Sequence, residues 1–167
     1  TLLWTVSSMA LQLIFGFFVA VGLNAKGLKL RRVYKTLLIV PWAMPAYVSI
    51  LLWRMGIFNT EFGLFNQILK QIGGKPVNFL STNGMAFISC LVVNLWLGVP
   101  YMFTMMDGAM QSIDRNIYES AELDGAGFWK KHFYVTIPQI LPILMPVIIM
   151  ATFTAFKQFD ILYLMTM

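Results

Sequence analysis

Side chains that commonly carry out chemistry are scarce in this chain. It has one cysteine, Cys90, and one histidine, His132. Neither a disulfide framework nor a Cys/His metal cluster can be assembled from one of each. No Gly-x-x-x-x-Gly-Lys-Ser/Thr run is present, so the chain has no phosphate loop of its own for ATP. One constellation does have a recognition chemistry. Asn94, Gly98 and Tyr101 stand at i, i+4 and i+7 and share one face if the segment is helical. An amide, a bare patch of backbone and an aromatic ring suit a sugar: the ring stacks on the apolar C–H face and the amide bonds hydroxyls. The same residues also suit interhelical packing, with the amide bonded to a neighbour and the glycine allowing close approach. Residue type alone leaves both readings open.

The elements that must position these residues are defined by where charge is missing. Hydrophobic residues make up 59% of the 167 and charged residues only 11%, against about 25% in an average soluble domain. Asp, Glu, Lys and Arg are absent from residues 1–25, 36–53, 76–106 and 132–156. Each run is near or above the ~20 residues that cross a ~30 Å hydrocarbon core. The expected fold is therefore all-α, a polytopic transmembrane helix bundle with spans at about 1–23, 36–55, 83–106 and 138–164. Gly16 and Gly22 are candidate packing points in the first span, and Pro41 and Pro45 candidate kinks in the second. Between the second and third spans, a short amphipathic or re-entrant helix is expected around 62–72. In so apolar a chain the net charge of +5 is read as a topology signal, not as a nucleic-acid footprint. The chain starts at Thr1 in a hydrophobic run without a basic n-region. That is no signal peptide, and the expectation is one transmembrane domain cut from a longer protein, with further spans upstream.

Basic residues set the orientation. Residues 24–35 contain five Lys or Arg, and the loop 107–137 contains Arg115, Lys130 and Lys131. The loop 56–82 contains only Lys70 and Lys75, with Arg54 at its edge. The positive-inside rule puts the first and third loops in the cytoplasm and the second outside.

The third loop has its own organisation. Ser112 or Asp114 is placed to cap a short helix, which carries Ile117, Ala121 and Leu123 beside Tyr118, Glu119, Glu122 and Asp124. Gly125 and Gly127 then allow a positive φ or a close backbone approach. Such a helix cannot satisfy its apolar side in water and suits a groove on another protein. Its acidic residues argue against a membrane-surface helix, since inner leaflets are anionic.

Glu119-Ser120-Ala121, Asp124-Gly125-Ala126 and Val135-Thr136-Ile137-Pro138 resemble the EAA loop of ABC importer permeases. In that pattern Glu-Ala-Ala is followed by a fixed Gly and, ten residues later, by Ile-x-Leu-Pro. Ser120, Val135 and Ile137 are mild departures. The resemblance covers nearly the whole chain: residues 37–45, Leu64-Phe65-Asn66, residues 94–102 and residues 153–166 are similar to permeases of the maltose/maltodextrin, MalF, type.

The resemblance implies a permease subunit of an ATP-driven carbohydrate importer in a bacterial inner membrane, with no catalytic residue, metal or cofactor of its own. ATP and Mg would sit on two cytoplasmic ATPase subunits. A second homologous permease and an extracytoplasmic sugar-binding protein would complete the complex, surrounded by membrane lipid. It implies that Glu119, Ser120, Ala121, Asp124, Gly125 and Ala126 belong to a coupling helix seated in the ATPase. It also implies that Trp42, Asn94, Leu97, Gly98 and Tyr101 line the sugar path. Ala46, Ala151 and Ala155 stand where the maltose permease has hydroxyl or amide groups, so an oligosaccharide other than maltose is equally expected.

Other classes fit less well. A glycerol-phosphate-like or other small polar solute is the alternative cargo. Asp124-Gly125-Ala126 also resembles the start of a phospholipid-head-group transferase site, but no Asp or Glu occurs between Asp124 and Asp160 to hold its metals. No filter motif supports an ion channel. Cys90 is expected to be an inert thiol and His132 a solvated residue. Lys157 and Asp160 are expected to be able to pair on one helix face.

Overall fold

The computed structural model describes residues 1–25 and 27–167. Lys26, one of the five basic residues of the first loop, lies outside them. Among the described residues the regular structure is entirely helical: α1 (Leu2–Leu23), α2 (Arg31–Ala43), α3 (Ala46–Leu52), α4 (Leu64–Gln71), α5 (Asn83–Gln111), α6 (Arg115–Leu123), α7 (Phe128–Lys131), α8 (Ile137–Lys157) and α9 (Asp160–Thr166). A π-helical turn, Trp53–Ile57, extends α3, and a second, His132–Thr136, joins α7 to α8.

Three helical stretches are long and apolar enough to cross a membrane: Leu2–Leu23, Asn83–Gln111 and Phe128–Thr166. The second expected span is not one kinked helix. It is a pair, Arg31–Ala43 and Ala46–Ile57, bent by 92°. The cause is local. Pro45 excludes its predecessor from the helical region, and Met44 is extended at ψ 143°. The helix also starts earlier than expected, inside the predicted first loop, after Leu30 at φ 61°. The third span runs on to Gln111 and carries Asp107 out of the predicted loop. The fourth is helical from Phe128 and breaks at Gln158, so Lys157 ends one helix while Asp160 starts the next and no ion pair joins them. The short helix around 62–72 is present as α4.

The centre of the bundle is α1 against α5. Trp4, Ser8, Gln12, Gly16 and Ala20 recur every four residues along α1, and all five are buried or pack inward on that face. Gly16 is a point of close approach, since a Cβ there would lie 3.1 Å from the Met102 side chain. Gly22 meets nothing and is no packing point. One apolar cluster gathers Phe17, Met102, Phe103, Met106, Ile140 and Leu144. The other gathers Trp4, Ile50, Phe58, Val93, Ile161 and Met165. Along α5, positions 94–101 fall between the two.

The connection from residue 58 to 82 is built around one side chain. Asn66 is fully buried, donates to the Asn59 carbonyl (3.0 Å) and the Val77 carbonyl (2.9 Å), and accepts from the Val77 N–H (2.7 Å). An amide with every side of its head bonded to backbone holds a loop closed.

Candidate functional site

Between the two apolar clusters lies a cavity of about 500 Å³, within the usual range for small-molecule sites. Five elements supply its walls. α1 contributes Gln12, and α5 contributes Asn94, Leu97, Gly98 and Tyr101. Trp42 from α2 and Ala46 from α3 flank the proline break, while Met150, Ala151, Thr154, Ala155 and Gln158 come from the end of α8. The five residues named from sequence are thus brought together, along with the three alanines. Trp42 lies in the last turn of α2, just before the break at Met44-Pro45. Its ring stacks on Tyr101 at 6.1 Å with 26° between planes.

The polar groups are few and open. Asn94 is 3% exposed, and its Nδ2 has no hydrogen-bond partner. Thr154 Oγ1 donates to the Met150 carbonyl (2.9 Å), which leaves its lone pairs free to accept. No Asp, Glu, Lys, Arg or His is among the lining residues. The wall is therefore an aromatic pair, amides and aliphatic carbon without net charge, which favours a neutral polyhydroxylated molecule over an ion. Ser8 Oγ, Ser49 Oγ and Trp4 Nε1 are also buried without partners but do not line the cavity, and nothing in the structure explains them.

Gln12, Thr154 and Gln158 were not singled out from sequence. For Gln12 a signal existed: an amide inside a charge-free run of 25 residues carries the same cost as Asn94. Gln158 follows Lys157 and reads as an ordinary polar end of a span.

The second candidate region is α6. Asp114 is its cap, accepting from the Asn116 N–H at 2.9 Å, whereas Ser112 bonds back to Ala109 in α5 (2.8 Å). The far end is a Schellman motif. Gly125 adopts φ +75°, its N–H reaches the Glu122 carbonyl (3.1 Å), and the Ala126 N–H reaches the Ala121 carbonyl (2.9 Å). Gly127 has an ordinary negative φ and open space around it, so only one of the two glycines is conformationally required. Glu119, Ser120, Asp124 and Gly125 are exposed, and Ala121 and Ala126 are half-buried. Leu123 is 89% exposed at the helix tip, an unusual place for an unpartnered leucine beside Ile117, itself 38% exposed.

Two contacts fasten α6 to the next span. Tyr118 OH and Thr136 Oγ1 are 2.9 Å apart, and Lys131 Nζ lies 2.5 Å from Glu122 Oε1. Thr136 is fully buried in the π turn and also meets His132 Nδ1 at 3.1 Å. His132 packs edge-on against Phe128 (4.5 Å) and Phe17 (6.1 Å), so it is a half-buried packing residue, not a solvated one.

Comparison with known proteins bears on both regions. A family profile described as binding-protein-dependent transport system inner membrane component matches residues 12–167. The galactooligosaccharides transport system permease protein GanP of Bacillus subtilis is 36% identical over 98% of this chain and 39% of its own length. The trehalose/maltose transport system permease protein MalF of Thermococcus litoralis is 35% identical over 95% of this chain and 53% of its own. The maltose/maltodextrin permease MalF of Vibrio vulnificus is 34% identical over 99% of this chain and 32% of its own. The chain thus spans about a third to a half of these relatives. A crystal structure of a bacterial alginate ABC transporter, in complex with an alginate pentasaccharide-bound periplasmic protein, has the same fold. It superposes with a TM-score of 0.79 at 20% identity, over 97% of this chain and 61% of the solved one.

Proposed function

This chain belongs to the family of binding-protein-dependent transport system inner membrane components, and from that premise we propose that it is a permease subunit of an ATP-driven importer for a neutral oligosaccharide. The observation that carries the reading is the uncharged cavity, where a stacked Trp42–Tyr101 pair faces the Asn94 amide. A pyranose ring presents apolar C–H faces to stack and hydroxyls around its edge to bond, and the lining offers one group for each. The relatives named for galactooligosaccharide, trehalose/maltose and maltose/maltodextrin transport support a carbohydrate cargo. A phosphorylated solute such as glycerol phosphate is disfavoured, because among the described residues no cation lines the cavity to offset its charge.

In this reading α6 is the coupling helix on the cytoplasmic side, with the loop 56–82 outside. It seats in a separate ATPase, two copies of which bind ATP and Mg. A second homologous permease and an extracytoplasmic sugar-binding protein complete the importer. The apolar tip at Leu123 and the acids Glu119 and Asp124 face the ATPase. When the ATPase pair closes, a displacement of α6 passes through Tyr118–Thr136 and Glu122–Lys131 into the start of the fourth span. The far part of that span carries Ala151, Ala155 and Gln158 of the cavity wall. Movement at the coupling end is thereby delivered to the substrate path.

The test is a gentle-detergent purification of the full-length protein from native membranes, beside Gly125→Asp checked for membrane insertion. Co-purification of an ATPase with the wild type, weakened in the variant, followed by sugar-stimulated ATP hydrolysis, is the expected result. A well-folded wild type without an ATPase overturns it.

A further inference from the structure

A glutamine in the middle of a membrane span needs a partner. Its amide has two donors and an acceptor, and none is satisfied by lipid. Gln12 is buried at 9% exposure on the face of α1 that meets α5, and it lines the cavity. Interhelical glue would appear as a hydrogen bond from this amide to α5. The side chain instead packs against Gly98 without a hydrogen bond to any described residue. A Cβ built on Gly98 would overlap the Gln12 Nε2, Cδ and Oε1 atoms. Gly98 is therefore the position on α5 that makes room for the amide of another helix.

We infer that Gln12 is a specificity-determining residue of this cavity, reading a pair of neighbouring sugar hydroxyls, and that Gly98 is glycine because it seats the Gln12 amide. The inference rests on the carbohydrate reading above and deepens it. An amide suits two adjacent hydroxyls because its oxygen accepts from one while its NH₂ donates to the other. The neighbouring Asn94 Nδ2 is likewise unpaired and points the same wall towards hydroxyl recognition. Ala46, Ala151 and Ala155 on the other elements offer no hydrogen-bonding side chain, while Thr154 and Gln158 add a hydroxyl and an amide to the lining. On the α1–α5 wall the two amides of Gln12 and Asn94 supply the discrimination, since a site built to bond a hydroxyl rejects a ligand lacking it.

The experiment uses the full-length permease purified with its partner chains, and radiolabelled maltotriose, trehalose and a β-linked galactotriose as probes. The sugar that binds is then compared with its monodeoxy analogues. Gln12→Met keeps the bulk across Gly98 and removes the amide; Gly98→Ala keeps the amide and displaces it. Each is expected to weaken binding about tenfold and to abolish discrimination against one deoxy analogue. The two together are expected to be no worse than either alone, because they remove the same interaction. Should one variant fail to assemble, the other still reads the discrimination. Gln12→Met binding within twofold of wild type, or losing affinity equally for sugar and every deoxy analogue, overturns the inference and leaves the carbohydrate reading standing. Fully additive losses overturn the role given to Gly98. If the wild type binds none of the three sugars, the carbohydrate reading falls, and this inference with it.

Discussion

Two buried polar regions of this molecule treat hydrogen bonding in opposite ways. At the end of the bundle that carries α6, Asp107 is 6% exposed and its carboxylate is saturated. Oδ1 accepts from Asn24 (2.7 Å) and Arg31 (3.2 Å), while Oδ2 accepts from Gln111 (2.8 Å) and from Lys35. One side chain thereby ties the end of α1 and the start of α2 to α5. Further along the same helix Asn94 is 3% exposed, yet its Nδ2 is unpaired, and Gln12 of α1 lines the same cavity at 9% exposure. Burial alone does not separate a structural polar residue from one kept for a ligand. The state of its hydrogen bonds together with a place on a cavity does, because an unpaired buried group beside open space is one that a ligand can complete.

The largest effect that could break this comparison is expected at Asp107. Asp107→Leu leaves Arg31 and Lys35 uncompensated, and should destabilise by about 2–3 kcal/mol, discounted because both cations are partly exposed. The thermal midpoint of the full-length protein in detergent should fall, while sugar affinity in the surviving folded fraction stays within about twofold of wild type. If affinity falls and the midpoint does not, the two regions have been assigned the wrong way round.

Next is Asn94→Leu, where the expectation reverses. Removing an orphaned donor should leave the midpoint unchanged or raise it, while oligosaccharide binding by equilibrium dialysis falls about tenfold, roughly 1.4 kcal/mol. A large drop in midpoint would make Asn94 a structural residue after all.

Gly125→Ala extends the comparison to α6, where the terminal carbonyls are paired by the Schellman turn. A side chain at φ +75° costs about 1 kcal/mol. Amide exchange across residues 115–126 should speed up several-fold, with weaker retention of the ATPase on purification. Smallest is Arg115→Ala. The Arg115–Glu119 pair at 2.9 Å is open to water on both sides, so a change below about 0.5 kcal/mol is expected in the same melting assay.

How much was legible in advance depended on the range of the interaction. Gly125 as the turn after α6 and the short helix α4 are local matters of three to six residues and could be read directly. The cap of α6 is open between Ser112 and Asp114 in the sequence, and the structure chose Asp114. The sharing of one face by Asn94, Gly98 and Tyr101 followed from helical period alone. Asp107 was passed over because it looked like the first residue of a loop. Its importance arises from Asn24, Arg31 and Lys35, more than seventy positions away. Gln12 was passed over for a related reason: its meaning comes from Gly98 on another helix. Lys157 and Asp160 were misjudged because a helix period was carried across a break at Gln158.

The sequence by itself determined the all-helical membrane character, the approximate spans, the alternation of basic loops and the capped helix that ends at Gly125. Each follows from composition, period or local backbone preference, which act within a segment. Tertiary structure decided how far the second span bends, 92°, and that Trp42 stacks on Tyr101. It also decided that Asp107 would be fully paired, that Asn94 Nδ2 would be buried without a partner, and that Gln12 would meet the same cavity. Hydrogen-bond satisfaction is a property of groups brought together from different helices, and one-dimensional order carries no distance between them.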